Sequence, residues 1–211
     1  MKLRVFFAAI AAAALSCATL SAQTTDEILA KMNEQLARTE AEGFAMDMVM
    51  KIPIVGTVSS HNMINGDNLR MEISDKDKRS VTWTTPTTKW DYDSSTGEIT
   101  ITNKEPSKED QKADSDLKAF DNLTKGYNVI LKKETDEAWY FLCKKSKDNK
   151  DKDDPKTMDL AVSKATYLPI YLRTKKSMIG IGFENITLGV SAEDVTFNPD
   201  EFPNAKIIDK R

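Results

Sequence analysis

The sequence predicts a mainly β protein with α elements (α+β), built on an antiparallel sheet of about eleven strands that is apolar on one face. Three observations carry this. From Phe44 onward, apolar and polar residues alternate with a period of two. Short breaks rich in Gly, Pro, Asn and Asp separate the alternating runs, and only two stretches, near Thr25 and near Ser115, carry a helical period instead.

The chain opens Met1-Lys2-Leu3-Arg4, runs apolar from Val5 to Leu15 and reaches Leu20-Ser21-Ala22-Gln23. A basic start, an apolar run too short to span a bilayer and a small residue before the cut predict a secretory signal peptide over residues 1–22, cleaved after Ala22. Residues 23–211 then form a single domain. The alternative is lipid anchoring at Cys17, because Ala14-Leu15-Ser16-Cys17 loosely resembles a lipobox, with Ala14 where such boxes usually carry Leu. Loss of Lys2 and Arg4 takes the net charge from −3 to −5, so nothing recruits nucleic acid. Cys143 would remain as the single cysteine, which leaves no intramolecular disulfide.

Thr24-Thr25-Asp26-Glu27 has the spacing of a capping box, and Ile28, Leu29, Met32 and Leu36 recur behind it at three- and four-residue steps. That predicts a helix of about four turns ending before Gly43, with one narrow apolar stripe that must lie against something. Phe44-Ala45-Met46-Asp47-Met48-Val49-Met50-Lys51 follows as a strand with Phe44, Met46, Met48 and Met50 on one side. Strand interiors favour β-branched residues, whereas Met is unbranched, polarizable and suited to varied apolar partners. Further strands are expected at 55–64, 69–74, 79–85, 88–93, 98–102, 127–133, 138–144, 157–163, 168–175 and 178–188. The breaks between them, such as Asn65-Gly66-Asp67-Asn68 and Ser94-Ser95-Thr96-Gly97, are short enough to force antiparallel neighbours. Asn103 to Asp114 reads as a loop. A second helix runs from Ser115 or Asp116 to Gly126 with Leu117, Phe120 and Leu123 inward. Lys145 to Lys156 reads as a solvated hairpin tip: its aspartates lack the Gly and closing Glu of a calcium loop. Phe197-Asn198-Pro199 and Phe202-Pro203 suggest a tail clasping one sheet edge.

Strand by strand, the apolar residues are expected on one face: Leu69, Met71 and Ile73 with Val81, Trp83, Trp90, Tyr92, Ile99 and Ile101, then Val129, Leu131, Met158, Leu160, Val162, Ile179, Ile181 and Phe183. Arg70, Glu72, Lys89, Asp91, Asp159 and Glu184 fall on the other. Eleven strands of about 20 Å at about 4.8 Å spacing offer a face on the order of 1,000 Å². Two helices cover roughly 300–500 Å² of it. A curled sheet with so sparse a lid leaves an apolar hollow, and such a hollow is a candidate binding site. Its expected lining and lid residues are Leu29, Met32, Leu36, Phe44, Met46, Met48, Met50, Leu69, Met71, Ile73, Trp83, Trp90 and Phe120. The competing expectation is a closed barrel packed solid by its own side chains.

Catalytic chemistry finds little to work with. His61 is the one histidine, and its neighbours Ser59, Ser60 and Asn62 do not compose a nucleophile–base pair. Neither a His/Cys cluster for zinc nor a Gly-rich phosphate loop is present, so no cofactor or metal is expected. Cys143 alternates inward with Trp139 and Phe141, which suits packing rather than reactivity.

Several stretches in this order resemble the outer-membrane lipoprotein carrier proteins, the LolA-like family. They are Thr84-Thr85-Pro86-Thr87-Thr88-Lys89-Trp90-Asp91-Tyr92-Asp93, Tyr127-Asn128-Val129 with Trp139-Tyr140-Phe141-Leu142-Cys143-Lys144-Lys145, Ala165-Thr166-Tyr167-Leu168-Pro169, and Phe197-Asn198-Pro199 through Ile207-Ile208-Asp209. The resemblance implies an incomplete β-barrel with a helical lid over an apolar cavity. It also implies a monomeric periplasmic carrier of lipoprotein acyl chains or other lipid, served by an inner-membrane releasing complex and an outer-membrane acceptor. The family's Arg-Pro-x-x-x-Phe stretch aligns with Asn65-Gly66-Asp67-Asn68-Leu69-Arg70, which has neither the Arg nor the Phe in register. The latch between lid and barrel therefore differs or is missing.

Overall fold

A computed structural model describes residues 23–75, 78–104, 123–176 and 178–211, and one sheet takes up most of them. The expected signal peptide lies outside the described residues, as does the expected second helix up to residue 122 with Phe120.

Helix α1 (Thr25–Ala37) starts as its capping box demands. The Glu27 amide donates to Thr24 Oγ1 at 3.3 Å, and the Thr24 amide donates back to Glu27 Oε2 at 2.8 Å. A single turn, α2 (Thr39–Glu42), ends at Gly43, whose φ of 67° and close approach to the Val190 carbonyl exclude any side chain. The strands are β1 (Phe44–Ile52), β2 (Gly56–Asn65), β3 (Asn68–Asp75), β4 (Lys78–Thr84), β5 (Thr88–Asp93) and β6 (Glu98–Asn103). Later in the chain come β7 (Tyr127–Glu134), β8 (Ala138–Lys145), β9 (Thr157–Ser163), β10 (Pro169–Lys176), β11 (Ile179–Leu188) and β12 (Lys206–Asp209). Their spatial order is β12-β6-β5-β4-β3-β2-β1-β11-β10-β9-β8-β7. The two end strands do not pair with each other, so this is an open twelve-stranded sheet, an unclosed barrel wall with α1 across one face.

Two meanders meet where β1 pairs with β11, Met48 opposite Phe183 and Met50 opposite Ile181. The register slips by one residue between Ala45 and Asp47, where Asn185 takes a φ of 56° and forms a bulge. β12 is the exception to antiparallel pairing: it lies parallel on β6, Ile207 opposite Ile99. The tail expected as an edge clasp thus completes the sheet.

One expectation about the faces is overturned. Residues directly opposite in an antiparallel pair share a face. Register places Leu69 opposite Thr84 and Met71 opposite Thr82, whereas Trp83 stands opposite Arg70 and Val81 opposite Glu72. The apolar side therefore switches between β3 and β4. On β1–β3 and β7–β11 it faces α1 (the inner face); on β4–β6 it faces away (the outer face). Lys89 and Asp91 fall inward, and Trp83, Trp90, Tyr92, Ile99 and Ile101 fall outward. Alternation fixes faces within a strand, but only the hairpin register relates one strand to the next.

Two cores result. The inner one packs Ile28, Met32 and Leu36 of α1 against Phe44, Met46, Ile64, Trp139, Phe141, Leu160, Val162, Leu172 and Ile186. The outer one is closed by the tail between β11 and β12. Phe197 stands edge-on to Trp83 at 5.3 Å and stacks on Trp90 at 5.7 Å, and Phe202 meets Trp83 at 5.5 Å and Tyr92 at 4.4 Å. Such ring pairs contribute about 1 kcal/mol each beyond their burial. Arg70 marks the joint, its guanidinium 5.3 Å from the Trp83 ring and paired with Glu72 at 2.7 Å and Glu201 at 3.0 Å.

Candidate functional site

Helix α1 covers only part of the inner face. Its stripe seats on the Phe44 end of β1, where Phe44 and Met46 are buried with Ile28, Met32 and Leu36, and Leu29 packs half-buried at the margin. Toward the other end the same face emerges. Met48 and Met50 are half-buried, and so are Leu69, Met71 and Ile73 on the same face of β3. The row is widened by Val58 opposite Met50 on β2 and by Ile181 and Phe183 opposite Met50 and Met48 on β11. The outcome is an apolar strip that runs out from beneath the helix and is continuous with the buried core.

Polar groups interrupt the strip once. Ser60 and Asn62 occupy inner-face positions of β2 and are buried. Asn62 Nδ2 donates to the Ser60 carbonyl at 3.1 Å and to Ser60 Oγ at 3.0 Å, so the Asn62 amide nitrogen is satisfied within the pair. At the opposite end of the core, beside the C-terminal turn of α1, a cavity of about 630 Å³ is lined by Gln35, Arg38, Tyr167, Leu168, Ile186 and Leu188. The packed part of the core thus has a partly polar groove at one end and the half-buried strip at the other. The helix is anchored at its near end by polar contacts with the β9–β10 turn: Tyr167 Oη donates to Gln23 Oε1 at 3.0 Å, and Lys31 Nζ donates to Tyr167 Oη at 3.4 Å.

Of the residues expected to line a hollow, the structure brings Leu29, Met32, Leu36, Phe44, Met46, Met48, Met50, Leu69, Met71 and Ile73 to one face. Trp83 and Trp90 stand on the other, beneath the tail, for the reason of register given above. Val58, Ile181 and Phe183 belong to the strip and were missing from the expected lining. The β1–β11 pairing that brings the last two there joins segments far apart in the chain, and no local periodicity announces it.

The outer face opposite the strip is a charged ladder. Asp47 accepts from Asn185 Nδ2 at 2.7 Å and contacts His61 Nδ1 at 2.8 Å; Arg173 pairs with Glu184 at 2.9 Å; Glu72 accepts from Arg79 at 2.9 Å. Partial burial disfavours the ionised form of Asp47, but the bonds from Asn185 and His61 outweigh it and hold the carboxyl below its ordinary value. Glu72 follows the same pattern, burial being outweighed by Arg79 and Arg70. Cys143 lies fully buried in the inner core, and burial, with Asp159 nearby, pushes its thiol up to about 11. It is not a thiolate at neutral pH. His61 has a carboxylate partner, but no nucleophile hydrogen-bonds to it among the described residues.

No family model matches the chain, and no curated protein matches its sequence. Solved structures do. An uncharacterised conserved protein from Thermus thermophilus is 12% identical over 89% of this chain and 100% of its own, with a TM-score of 0.41. A LolA superfamily protein from Nitrosomonas europaea is 13% identical over 85% of this chain and 100% of its own, with a TM-score of 0.36. MucB, solved in complex with MucA(peri), is 11% identical over 85% of this chain and 62% of its own, with a TM-score of 0.42.

Proposed function

We propose that the chain is an exported, non-enzymatic carrier that shelters lipid acyl chains against the inner face of its open sheet. In this reading residues 1–22 direct export and are removed after Ala22, and the working compartment is the periplasm. The observation that carries it is the half-buried strip of Met48, Met50, Met71 and Ile73, continuous with the core under α1. A methionine-rich strip adapts to unbranched alkyl chains of varied length and course. Burial of ten methylenes contributes about 8 kcal/mol before the cost of ordering the chain, which suits reversible carriage. Because α1 already fills the Phe44 end, a long acyl chain would lie along the strip and displace the helix to go deeper. The finer reading, carriage of lipoproteins from an inner-membrane releasing complex to an outer-membrane acceptor, follows the sequence resemblance.

Native mass spectrometry of the exported protein with a lipidated peptide and a fatty acyl probe tests the proposal. Uptake by the wild type is expected, with loss of uptake in Met48→Lys and Met71→Lys. Lysine at a half-buried strand position keeps its stem on apolar surface and its ammonium in water, so these variants should lose only about 1 kcal/mol of stability. Absence of uptake by the wild type sinks the idea.

The other reading is an envelope module that binds a protein partner on this fold. Its expected mark is a closed, filled interior with the α1 stripe turned outward. The open sheet and the inward burial of Ile28, Met32 and Leu36 favour the carrier.

A further inference from the structure

The centre of the inner strip is polar. Along β2 the inner-face positions read Val58, Ser60, Asn62 and Ile64, so two polar residues stand where the face is otherwise apolar. Register sets Ser60 between Met48 of β1 and Ile73 of β3, and Asn62 between Met46 and Met71. Ser60 and Asn62 are each only 6% exposed, because their short side chains lie beneath the longer ones on either side. Folding does not account for them. Apolar residues of similar shape would fill both positions without desolvating a hydroxyl and a carboxamide, and such an exchange is nearly neutral or stabilising when both partners go together.

The hydrogen bonding of the couple is also incomplete. A carboxamide carries an acceptor oxygen beside its N–H donors, and a hydroxyl donates once as well as accepting. Asn62 Nδ2 is spent on the Ser60 carbonyl and on Ser60 Oγ. Among the described residues nothing donates to Asn62 Oδ1, and nothing accepts from the Ser60 hydroxyl. The described side-chain polar atoms that are both sealed and unpartnered are Asn33 Oδ1 and Trp83 Nε1, so Asn62 Oδ1 stays within reach of a visitor. One donor and one acceptor, both neutral, thus stand together in the middle of the strip. A secondary amide matches them: its carbonyl oxygen accepts from the Ser60 hydroxyl while its N–H donates to Asn62 Oδ1. An ester offers the carbonyl alone. An ionised carboxylate offers no hydrogen and brings a charge that neither residue can balance.

We infer that Ser60 and Asn62 form an amide-reading subsite in the floor of the strip, which selects acyl chains joined through an amide over those joined through an ester. The inference rests on the carrier reading and adds a linkage specificity to it. The alkyl chain runs along Met48, Met50 and Met71, whose unbranched side chains part readily and let the amide reach the floor.

Dissociation constants of the exported protein for N-methyldecanamide, methyl decanoate and decanoate test it. The first two probes share one shape and differ by N–H against O. The amide is the more strongly hydrated, so an apolar hollow without polar readers favours the ester. Wild-type protein should instead prefer the amide by about tenfold, with decanoate the weakest of the three. Asn62→Leu keeps the volume and removes Oδ1, and should erase or reverse that preference. Ser60→Ala should weaken amide and ester alike, since both carry the carbonyl. The variant with both substitutions should unfold at an unchanged or higher temperature, which separates lost recognition from a folding defect. Equal or weaker binding of the amide by the wild type, a measurement that needs no variant to fold, overturns the inference. An amide preference that survives Asn62→Leu overturns it as well. Uptake of both neutral probes with the ester ahead leaves the carrier reading intact, whereas uptake of neither removes that reading and the subsite with it.

Discussion

Arg70 shows how one side chain organises two halves of the molecule. It sits on the outer face of β3, largely buried, with Trp83 on one side and the carboxylates of Glu72 and Glu201 on the other. A buried guanidinium is tolerable only when so fully met, and here its partners include the tail that closes the outer core. Asp47 and Glu72 on the same face are both held below their ordinary values in the folded chain. A carboxyl with a depressed folded pKa adds stability that is fully present above its unfolded value and is lost as pH falls through the folded value. Acid titration followed by circular dichroism should accordingly show a midpoint of thermal unfolding that is flat near neutrality and declines as pH drops below about 4. Asp47→Asn should flatten the upper part of that decline. An unchanged acid profile in the variant would argue that Asp47 contributes nothing through ionisation.

At the level of elements, α1 combines a well-formed start with a stripe that the sheet needs. Thr24→Ala removes the acceptor for the Glu27 amide and should lower stability by about 1 kcal/mol, read from urea denaturation. The capping box and the 28-32-36 spacing were legible in the sequence because both are local. So were eleven strands, each announced by a period of two and bounded by turn residues such as Asn65-Gly66-Asp67-Asn68. β12 was not: a parallel pairing with β6 has no hairpin turn beside it, and its four residues are too few for a period to declare itself. Nor was the relation between strands. Leu69 and Trp83 look equivalent in an alternation count, and only the pairing of Arg70 with Trp83 sends them to opposite sides. The candidate site was legible to the same extent: the methionines of β1 and β3 share a face, and the tryptophans expected beside them belong to another core.

For the whole molecule, an open sheet must manage two edges. β12 ends one side with a strand of only four residues. β7 ends the other with Lys132 and Lys133 and a register shift between Leu131 and Lys133, both of which discourage a further strand from adding. The reversal of the apolar side between β3 and β4 has a separate consequence, for cooperativity. Each core draws on its own strands and its own cover, α1 for one and the Phe197–Phe202 tail for the other, with the hydrogen-bond ladder as their common seam. Loss of the tail packing would strip β4–β6 while leaving the methionine side intact, so the chain contains two units able to open separately. Amide exchange followed by mass spectrometry should resolve them, with β4–β6 and β12 exchanging as one group and β8–β11 with β1 as another; a single shared exchange rate across all twelve strands would show one indivisible unit. In the carrier reading proposed above, such a division would let the methionine side loosen to admit or release a guest while the other half keeps the sheet in register.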